Sequence, residues 1–325
     1  MHPAFSVIFL TTLIGAGQGL FLALYTGQSY AAVGLVHIAD SAHFHGLGSL
    51  LAVALLAGGL LASFFHLGHP ERAWRAAARW RTSWLSREVI VLPAFTAVVL
   101  GYGALHYLGW DPNVLHTTDP LKGRLTLLVG ALGTVLAFAL FLCTGMIYAC
   151  LKFLQEWHSP LTVINFVLLG SGSGFMLATA LAQVHAANLV PLYAVWTTII
   201  TLAALVSRGA SLIRNARLKP RSSPRTAIGV RHNRIVQKAQ GMMGGAFNTR
   251  EFFHGAAAPV LRSIKWIALV LVFPVPLAVL WLGVEVHSAP LLLAAFLVQY
   301  LGLIAERWLF FAQANHPQNI YYQTV

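Results

Sequence analysis

Residues 125–151 read LTLLVGALGTVLAFALFLCTGMIYACL, an apolar stretch without a single charged side chain. About 20 such residues are enough for a helix to cross the hydrocarbon core of a bilayer. Seven further stretches have a similar length and character: Phe5–Tyr25, Gly46–Phe65, Glu88–Leu108, Leu161–Ala182, Leu192–Leu212, Ile264–Leu282 and Leu291–Phe310. The sequence therefore predicts an all-α integral membrane protein with eight transmembrane helices.

The composition of the whole chain agrees with this prediction. Of the 325 residues, 58% are hydrophobic and only 9% are charged. A soluble domain has about 25% charged residues, which it needs to cover its surface. A soluble globule and a disordered chain are both excluded. The formal net charge of +12 would suggest nucleic acid in a soluble protein, but here its position along the chain explains it.

The basic residues lie in two connecting loops. One loop joins spans two and three and contains Arg72–Arg87, and the other joins spans six and seven, Arg208–Lys265. With eight spans, all 21 Lys and Arg except Lys122 and Arg124 fall on one side of the membrane. The positive-inside rule makes this side cytoplasmic. We expect both termini in the cytoplasm and no nucleic-acid partner.

A short internal repeat divides the chain into two halves. Leu13-Ile14-Gly15-Ala16-Gly17-Gln18-Gly19 in span one resembles Leu168-Leu169-Gly170-Ser171-Gly172-Ser173-Gly174 in span five. The repeat predicts two tandem four-helix bundles, residues 1–155 and 156–325, the second carrying the basic loop 213–262. Glycines four residues apart allow helices to pack closely in lipid. A backbone opened to admit a ligand is the alternative.

The hairpin between spans two and three brings chemically active residues to one membrane surface. His66 ends one span, Glu88 begins the next, and Arg72 lies between them. Ser86 as the N-cap would explain Glu88 as a residue of the first helical turn, and the arginines could merely set the orientation. Together, however, the three side chains form a set suited to handling protons. A quinone needs such a set, because its two oxygens gain two protons when two electrons arrive.

At this hairpin the sequence resembles the membrane-anchor subunits of the dimethyl sulfoxide reductase family (DmsC-like). The matching segments run from end to end: Met1–Val7, His66–Pro70, Arg72–Arg75, Ser83–Val89, Glu306–Phe311 and His316–Asn319. The resemblance implies a bacterial inner-membrane anchor, bound to an iron–sulfur subunit and a molybdopterin catalytic subunit. It also implies a site for a quinone, ubiquinone or menaquinone, and no haem in this chain.

Carried over position by position, the resemblance assigns His66, Arg72 and Glu88 to the quinone site, with His69 as a further candidate. Glu88 and His66 would supply protons, and Arg72 would polarise an oxygen or stabilise the Glu88 carboxylate. No metal site is expected in this chain. Its two cysteines, Cys143 and Cys150, are too few for an iron–sulfur cluster. Molybdenum catalysis would then occur in another chain.

The basic loop refines the expected function. It resembles the membrane subunits of cytoplasmic, quinone-reducing sulfite dehydrogenases (SoeC-like), and we favour sulfite oxidation on this ground. Residues 213–262 are expected to bind the iron–sulfur subunit, with a solvated linker and a surface for lipid headgroups as alternatives. A turn is predicted at Gly241–Gly245 and a helix start at Asn248–Glu251. Binding to the iron–sulfur subunit could by itself explain the positive charge of the loops. The partner subunits could then lie on the other face of the membrane.

Other functions remain open at the level of sequence. A quinol-oxidising anchor of a DMSO or S-oxide reductase is the first alternative. A secondary transporter is compatible with the repeat, although no span centre holds a clear charged residue. A haem-binding quinol oxidase subunit would need facing histidines; His66, His69, His106 and His185 are available without a paired spacing. A purely structural anchor is the last alternative.

Overall fold

The computed structural model describes residues 3–115, 123–219, 223–232, 234–235 and 256–317. Eight helical segments in these ranges are long and apolar enough to cross a membrane. They are α1 (Phe5–Ala32), α2 (Ser41–Phe64), α3 (Trp84–Tyr107), α4 (Leu125–Ala149), α5 (Pro160–His185), α6 (Val190–Ala216), the pair α8 (Ala258–Val272) and α9 (Pro274–Glu285), which together form one span, and α10 (Ala289–Ala312). The short helix α7 (Pro224–Ile228) lies outside the spans. The predicted all-α membrane fold is confirmed.

The basic hairpin is compact. A 3-10 helix, Pro70–Arg79, connects α2 to α3. Helix α3 begins at Trp84, and the Ser83 hydroxyl caps it by accepting a hydrogen bond from the Ser86 amide at 3.3 Å. The prediction of Ser86 as the N-cap was therefore wrong. Ser83 has the extended backbone conformation that an N-cap requires, whereas Ser86 lies one turn inside the helix.

Span seven is interrupted at its centre. Helix α8 ends at Val272 and α9 begins at Pro274, with Phe273 between them. Pro276 has no amide hydrogen, so it cannot bond the carbonyl of Val272 four residues earlier. Gln299 on α10 donates to that carbonyl at 3.3 Å instead. This side chain stabilises the break, since an unpaired carbonyl in lipid is costly.

Helices of both halves share one apolar core. Within the first half α1 packs on α2 and α4, and α3 packs on α2 and α4. Within the second half α10 contacts α5, α8 and α9, and α6 contacts α5 and α9. The cluster of buried side chains is continuous from Phe21 of α1 to Phe296 of α10. The division into bundles 1–155 and 156–325 therefore stays a prediction.

The repeated glycines lie where the two halves meet. Helices α1 and α5 cross at the centre of the molecule, and a Cβ atom on Gly15 would contact Gly170 at 3.5 Å. At Gly19 or Gly174 an added Cβ would overlap the backbone of the opposite helix. Interpreting these glycines as residues that permit close helix packing is thus confirmed, and no side chain could replace Gly19 or Gly174 without moving a helix.

The membrane spans alternate in direction, so the 3-10 hairpin, the loop 150–159 and the residues after α6 lie at one end of the molecule. We call this the basic end. Most of the loop 213–262 falls outside the described residues. The turn predicted at Gly241–Gly245 and the helix start predicted at Asn248–Glu251 lie there as well.

Candidate functional site

A pocket inside the membrane domain opens near the basic end and contains Glu88. Its walls come from α1, α3, α4, α5 and α10, and its cavity volume is about 10 Å³. Besides Glu88, its polar wall contains Thr12, Gln18, Thr144 and Arg307. The apolar wall includes two aromatic rings, Phe141 and Phe166. We call this the Glu88 pocket.

Glu88 lies one turn inside α3 and is buried, with 8% of its surface exposed. Its Oε1 atom accepts a short hydrogen bond from the Thr144 hydroxyl on α4. A buried ionisable side chain within a membrane span is costly and faces a cavity or a partner. Here it faces both, and Thr144 fixes the direction in which the carboxyl group points.

A cluster of three charged side chains lies beside this pocket. Arg208 of α6 and Glu306 of α10 form an ion pair of 2.9 Å between Nε and Oε1, and both side chains are 4% exposed. Arg307 Nη1 lies 3.5 Å from the other oxygen of Glu306. The Arg307 guanidinium also lies over the Phe166 ring, 3.7 Å from its centre. Of the three, only Arg307 lines the Glu88 pocket, where it presents one positive charge opposite the Glu88 carboxyl group.

Three of the residues predicted for the quinone site lie on the hairpin between α2 and α3, outside the Glu88 pocket. His66, His69 and Arg72 are exposed on the surface of the basic end. His69 Nδ1 lies 3.1 Å from Glu71 Oε1, and Arg72 Nε lies 3.5 Å from the same atom. Partial desolvation lowers the pKa of His66 below its ordinary value of 6.5. These contacts link His69 and Arg72 through Glu71, a residue that sequence reasoning did not single out.

The structure thus separates the predicted residues into two groups. Glu88 lies in a buried pocket with partners from α4 and α10, whereas the other three lie on the surface hairpin. Sequence reasoning missed the contribution of Thr144, Gln18 and Arg307 to the Glu88 pocket. For Arg307 a signal existed, because Glu306 and Arg307 interrupt an otherwise apolar span. For Thr144 there was none, since hydroxyl residues are common in membrane helices.

Two histidines are stacked at the end opposite the basic end. The rings of His45 on α2 and His106 on α3 have centroids 4.1 Å apart and planes inclined by 16°. Such direct stacking leaves no space for a haem between the rings, so this pair does not provide facing axial ligands. Among the described residues, no three His, Cys, Asp or Glu side chains are grouped so that they could hold a metal ion.

Comparison with known proteins identifies the family. A family model described as DMSO reductase anchor subunit (DmsC) matches residues 1–312. The chain belongs to the DmsC family. A DmsC-type chain is a membrane anchor subunit of an oxidoreductase, and the eight spans described above agree with that role. A similar protein is the C-subunit of the sulfite dehydrogenase of Allochromatium vinosum, 57% identical over 325 residues, which are 100% of both chains. The predicted resemblance is confirmed.

Proposed function

We propose that this chain is the membrane anchor and quinone-reactive subunit of a complex that oxidises sulfite. It would receive electrons from an iron–sulfur subunit and transfer them to a quinone in the membrane. A molybdopterin subunit would carry out the sulfite chemistry in another chain. The full-length identity of 57% to a sulfite dehydrogenase protein supports sulfite as the substrate of the complex.

The observation that carries the quinone assignment is the buried carboxyl group of Glu88 in a membrane pocket with both polar and aromatic walls. The residues suit the headgroup by chemistry, and the walls must move apart to admit it, because the cavity of about 10 Å³ has room for about one water molecule. Glu88, Thr12 and Arg307 can bond a carbonyl oxygen, and the rings of Phe141 and Phe166 can cover a flat ring. A quinone supplies the ability to accept two electrons with two protons.

The proposed role of each pocket residue follows from its position. Glu88 gives a proton to a quinone oxygen and then takes another from the basic end. Thr144 holds the Glu88 carboxyl in one orientation through its hydroxyl. Arg307 presents a positive charge to oxygen atoms that become electron-rich during reduction. The apolar remainder of the wall excludes bulk water from the ring.

The hairpin residues are proposed to act at the surface of the basic end. His66 would accept and release protons there, since its lowered pKa leaves the imidazole neutral near pH 7. His69 and Arg72, which share Glu71, would face the iron–sulfur subunit and the entrance of the site. We propose that this end lies on the cytoplasmic side of a bacterial inner membrane, with both termini there, because the positive-inside rule favours that orientation.

The test uses the assembled complex in native membranes, with sulfite as the electron donor. A short-chain ubiquinone analogue reports the quinone reaction, and ferricyanide reports electron release from the hydrophilic subunits. Glu88→Gln should lower quinone reduction by about 100-fold, because a general acid contributes at least that factor. Ferricyanide reduction should not change. Glu285→Gln is the matched control, because Glu285 is an exposed acid at the last position of α9, at the end of the molecule opposite the basic end.

Two results would contradict the proposal. Normal quinone turnover with unchanged affinity in Glu88→Gln would remove Glu88 from the mechanism. A wild-type complex that reduces ferricyanide but no quinone would remove the function itself. Arg72→Ala should weaken quinone binding in complexes that assemble; loss of assembly alone would make Arg72 a docking residue.

A quinol-oxidising anchor is the second candidate, since the family is described by its DMSO reductase members. In that case electrons would run from a quinol to an S-oxide. The same membranes distinguish the two functions. Reduction of dimethyl sulfoxide by a quinol, without oxidation of sulfite, would favour the second candidate.

A further inference from the structure

A second pocket lies next to the Glu88 pocket and closer to the surface of the basic end. It lies between α5, α6, α10 and the loop 150–159, and its cavity volume is about 10 Å³. Its walls are almost entirely polar and include Glu156, Asn165, Arg208, Ser211, Glu306 and Arg307. Glu156 is half-buried at the outer end, whereas Arg208, Glu306 and Arg307 are buried. We call it the Glu306 pocket.

Several buried atoms around this pocket have no hydrogen-bond partner in the described part of the chain. They include Glu156 Oε2, Asn165 Oδ1, Arg208 Nη2 and both carboxylate oxygens of Glu306, whose contacts with the arginines lack hydrogen-bond geometry. Unpaired polar atoms are costly in a membrane domain, and several of them around one space are normally satisfied by water. The Glu306 pocket therefore has the chemistry of a small polar chamber, with room for about one bound water molecule.

The two pockets meet at one side chain. Arg307 lines both of them. Its guanidinium covers the ring of Phe166, which belongs to the Glu88 pocket, and contacts Glu306, which belongs to the Glu306 pocket. The Arg307 side chain is thus a wall that the two pockets share.

The outer end of the chamber is held open by specific hydrogen bonds. Arg214 at the end of α6 donates to the carbonyls of Gln155 and His158, at 3.0 Å and 3.1 Å. Asn165 on α5 donates to the Ser211 hydroxyl on α6 at 2.8 Å. These bonds fix the loop and the two helices around the polar space, so the chamber does not depend on a mobile segment.

We propose that the Glu306 pocket is the route by which protons travel from the aqueous phase at the basic end to the Glu88 pocket. The inference rests on the proposed function. Reduction of a quinone by two electrons from the partner's iron–sulfur cluster consumes two protons, which become the two hydroxyl hydrogens of the quinol. Glu156 takes a proton from water at the outer end and passes it to water bound beside Glu306, from which it moves past Arg307 to Glu88 while the guanidinium stays protonated.

Charges around the route determine which acid carries protons. Glu306 is paired with both Arg208 and Arg307, so its oxygens serve as hydrogen-bond acceptors for bound water and not as the proton carrier. Glu156 faces the pocket together with Arg208, Arg214, Glu306 and Arg307, and His158 lies on the same loop. It is the acid at the outer end that can exchange its proton with the aqueous phase.

Glu156→Gln in the assembled complex tests the route, because this change preserves the shape of the side chain. Sulfite-driven reduction of the ubiquinone analogue should fall by about 100-fold at pH 8, the smaller end of what a lost proton-transfer group costs. The loss should be smaller at pH 6, where protons are more abundant, and acetate should restore part of the rate as a diffusible acid. Quinone affinity and ferricyanide reduction should not change. Glu285→Gln is again the control.

A second pair of variants tests the space itself. Ser211→Leu fills the chamber and should slow quinone reduction at pH 8 without rescue by acetate, whereas Val206→Leu, on the exposed face of the same helix, should retain activity. Wild-type rates at pH 8 in both Glu156→Gln and Ser211→Leu would overturn the route while leaving the proposed function intact. A wild-type complex that reduces ferricyanide and no quinone would overturn both.

Discussion

Gly174 of α5 packs directly against Gly19 of α1, so that the two backbones touch where the halves of the molecule cross. An added methyl group at Gly174 would overlap the backbone of Gly19 and Leu20. Backbone atoms cannot move aside as the end of a flexible side chain can. The helices would therefore have to separate along their whole line of contact, which also forms part of the wall of the Glu88 pocket through Gly15 and Gly170.

This contact gives a first prediction. Gly174→Ala should destabilise the protein by about 1–3 kcal/mol or more, the usual cost of overpacking a tight core. Gly209→Ala on α6 is the matched control, because an added Cβ there meets no atom within 4 Å. The control should lie within about 1 kcal/mol of wild type. Thermal unfolding in detergent measures both, and equal melting temperatures for the two variants would contradict the crossing.

The buried ion cluster gives a second prediction. Glu306→Gln leaves Arg208 and Arg307 as two buried positive charges without a counter-ion, and should cost about 3–5 kcal/mol. Arg208→Gln leaves Glu306 with Arg307 and should cost less. The two variants differ only in which charge is removed, so the order of their melting temperatures is the measurement. If Arg208→Gln were the less stable of the two, Arg307 alone would not neutralise the charge of the Glu306 carboxylate.

A third prediction concerns orientation and uses the native cysteines. Cys150 is exposed at the end of α4 that belongs to the basic end, whereas Cys143 is buried. A charged, membrane-impermeant maleimide should label this chain in inside-out vesicles and leave it unlabelled in right-side-out vesicles. Cys150→Ser should abolish labelling. Detergent-treated vesicles control for access, and labelling in right-side-out vesicles would reverse the proposed orientation.

The fourth prediction concerns the protonation of His66. Partial desolvation disfavours the imidazolium form, so the pKa of His66 lies below 6.5. His66 should therefore be neutral at pH 7 and become charged only as the pH falls further. Nuclear magnetic resonance of histidine-labelled protein, with His66→Gln to assign the signal, measures the midpoint. A midpoint at or above 6.5 would show that a nearby acid, and not desolvation, controls this histidine.

Sequence reasoning found Glu88 but not the residues that surround it. Glu88 was found because an acid at the start of an apolar span is rare and its position matches the family hairpin. Its actual partners, Thr144 and Arg307, come from α4 and α10, far away in sequence. Their proximity depends on how α3, α4 and α10 pack, and a local pattern contains no information about that packing.

By itself the sequence determined the number of spans, their approximate limits and the concentration of positive charge at one end, since each of these follows from local apolarity and the cost of burying charge in lipid. It also indicated the close-packing role of the repeated glycines. Only the tertiary structure decided which residues surround Glu88, where Arg208 and Glu306 meet, and that Gln299 bonds the carbonyl freed by Pro276. These contacts join helices that are distant in sequence. They depend on the angles at which the helices cross and on how each helix is rotated about its axis, and apolar spans of similar composition do not specify either.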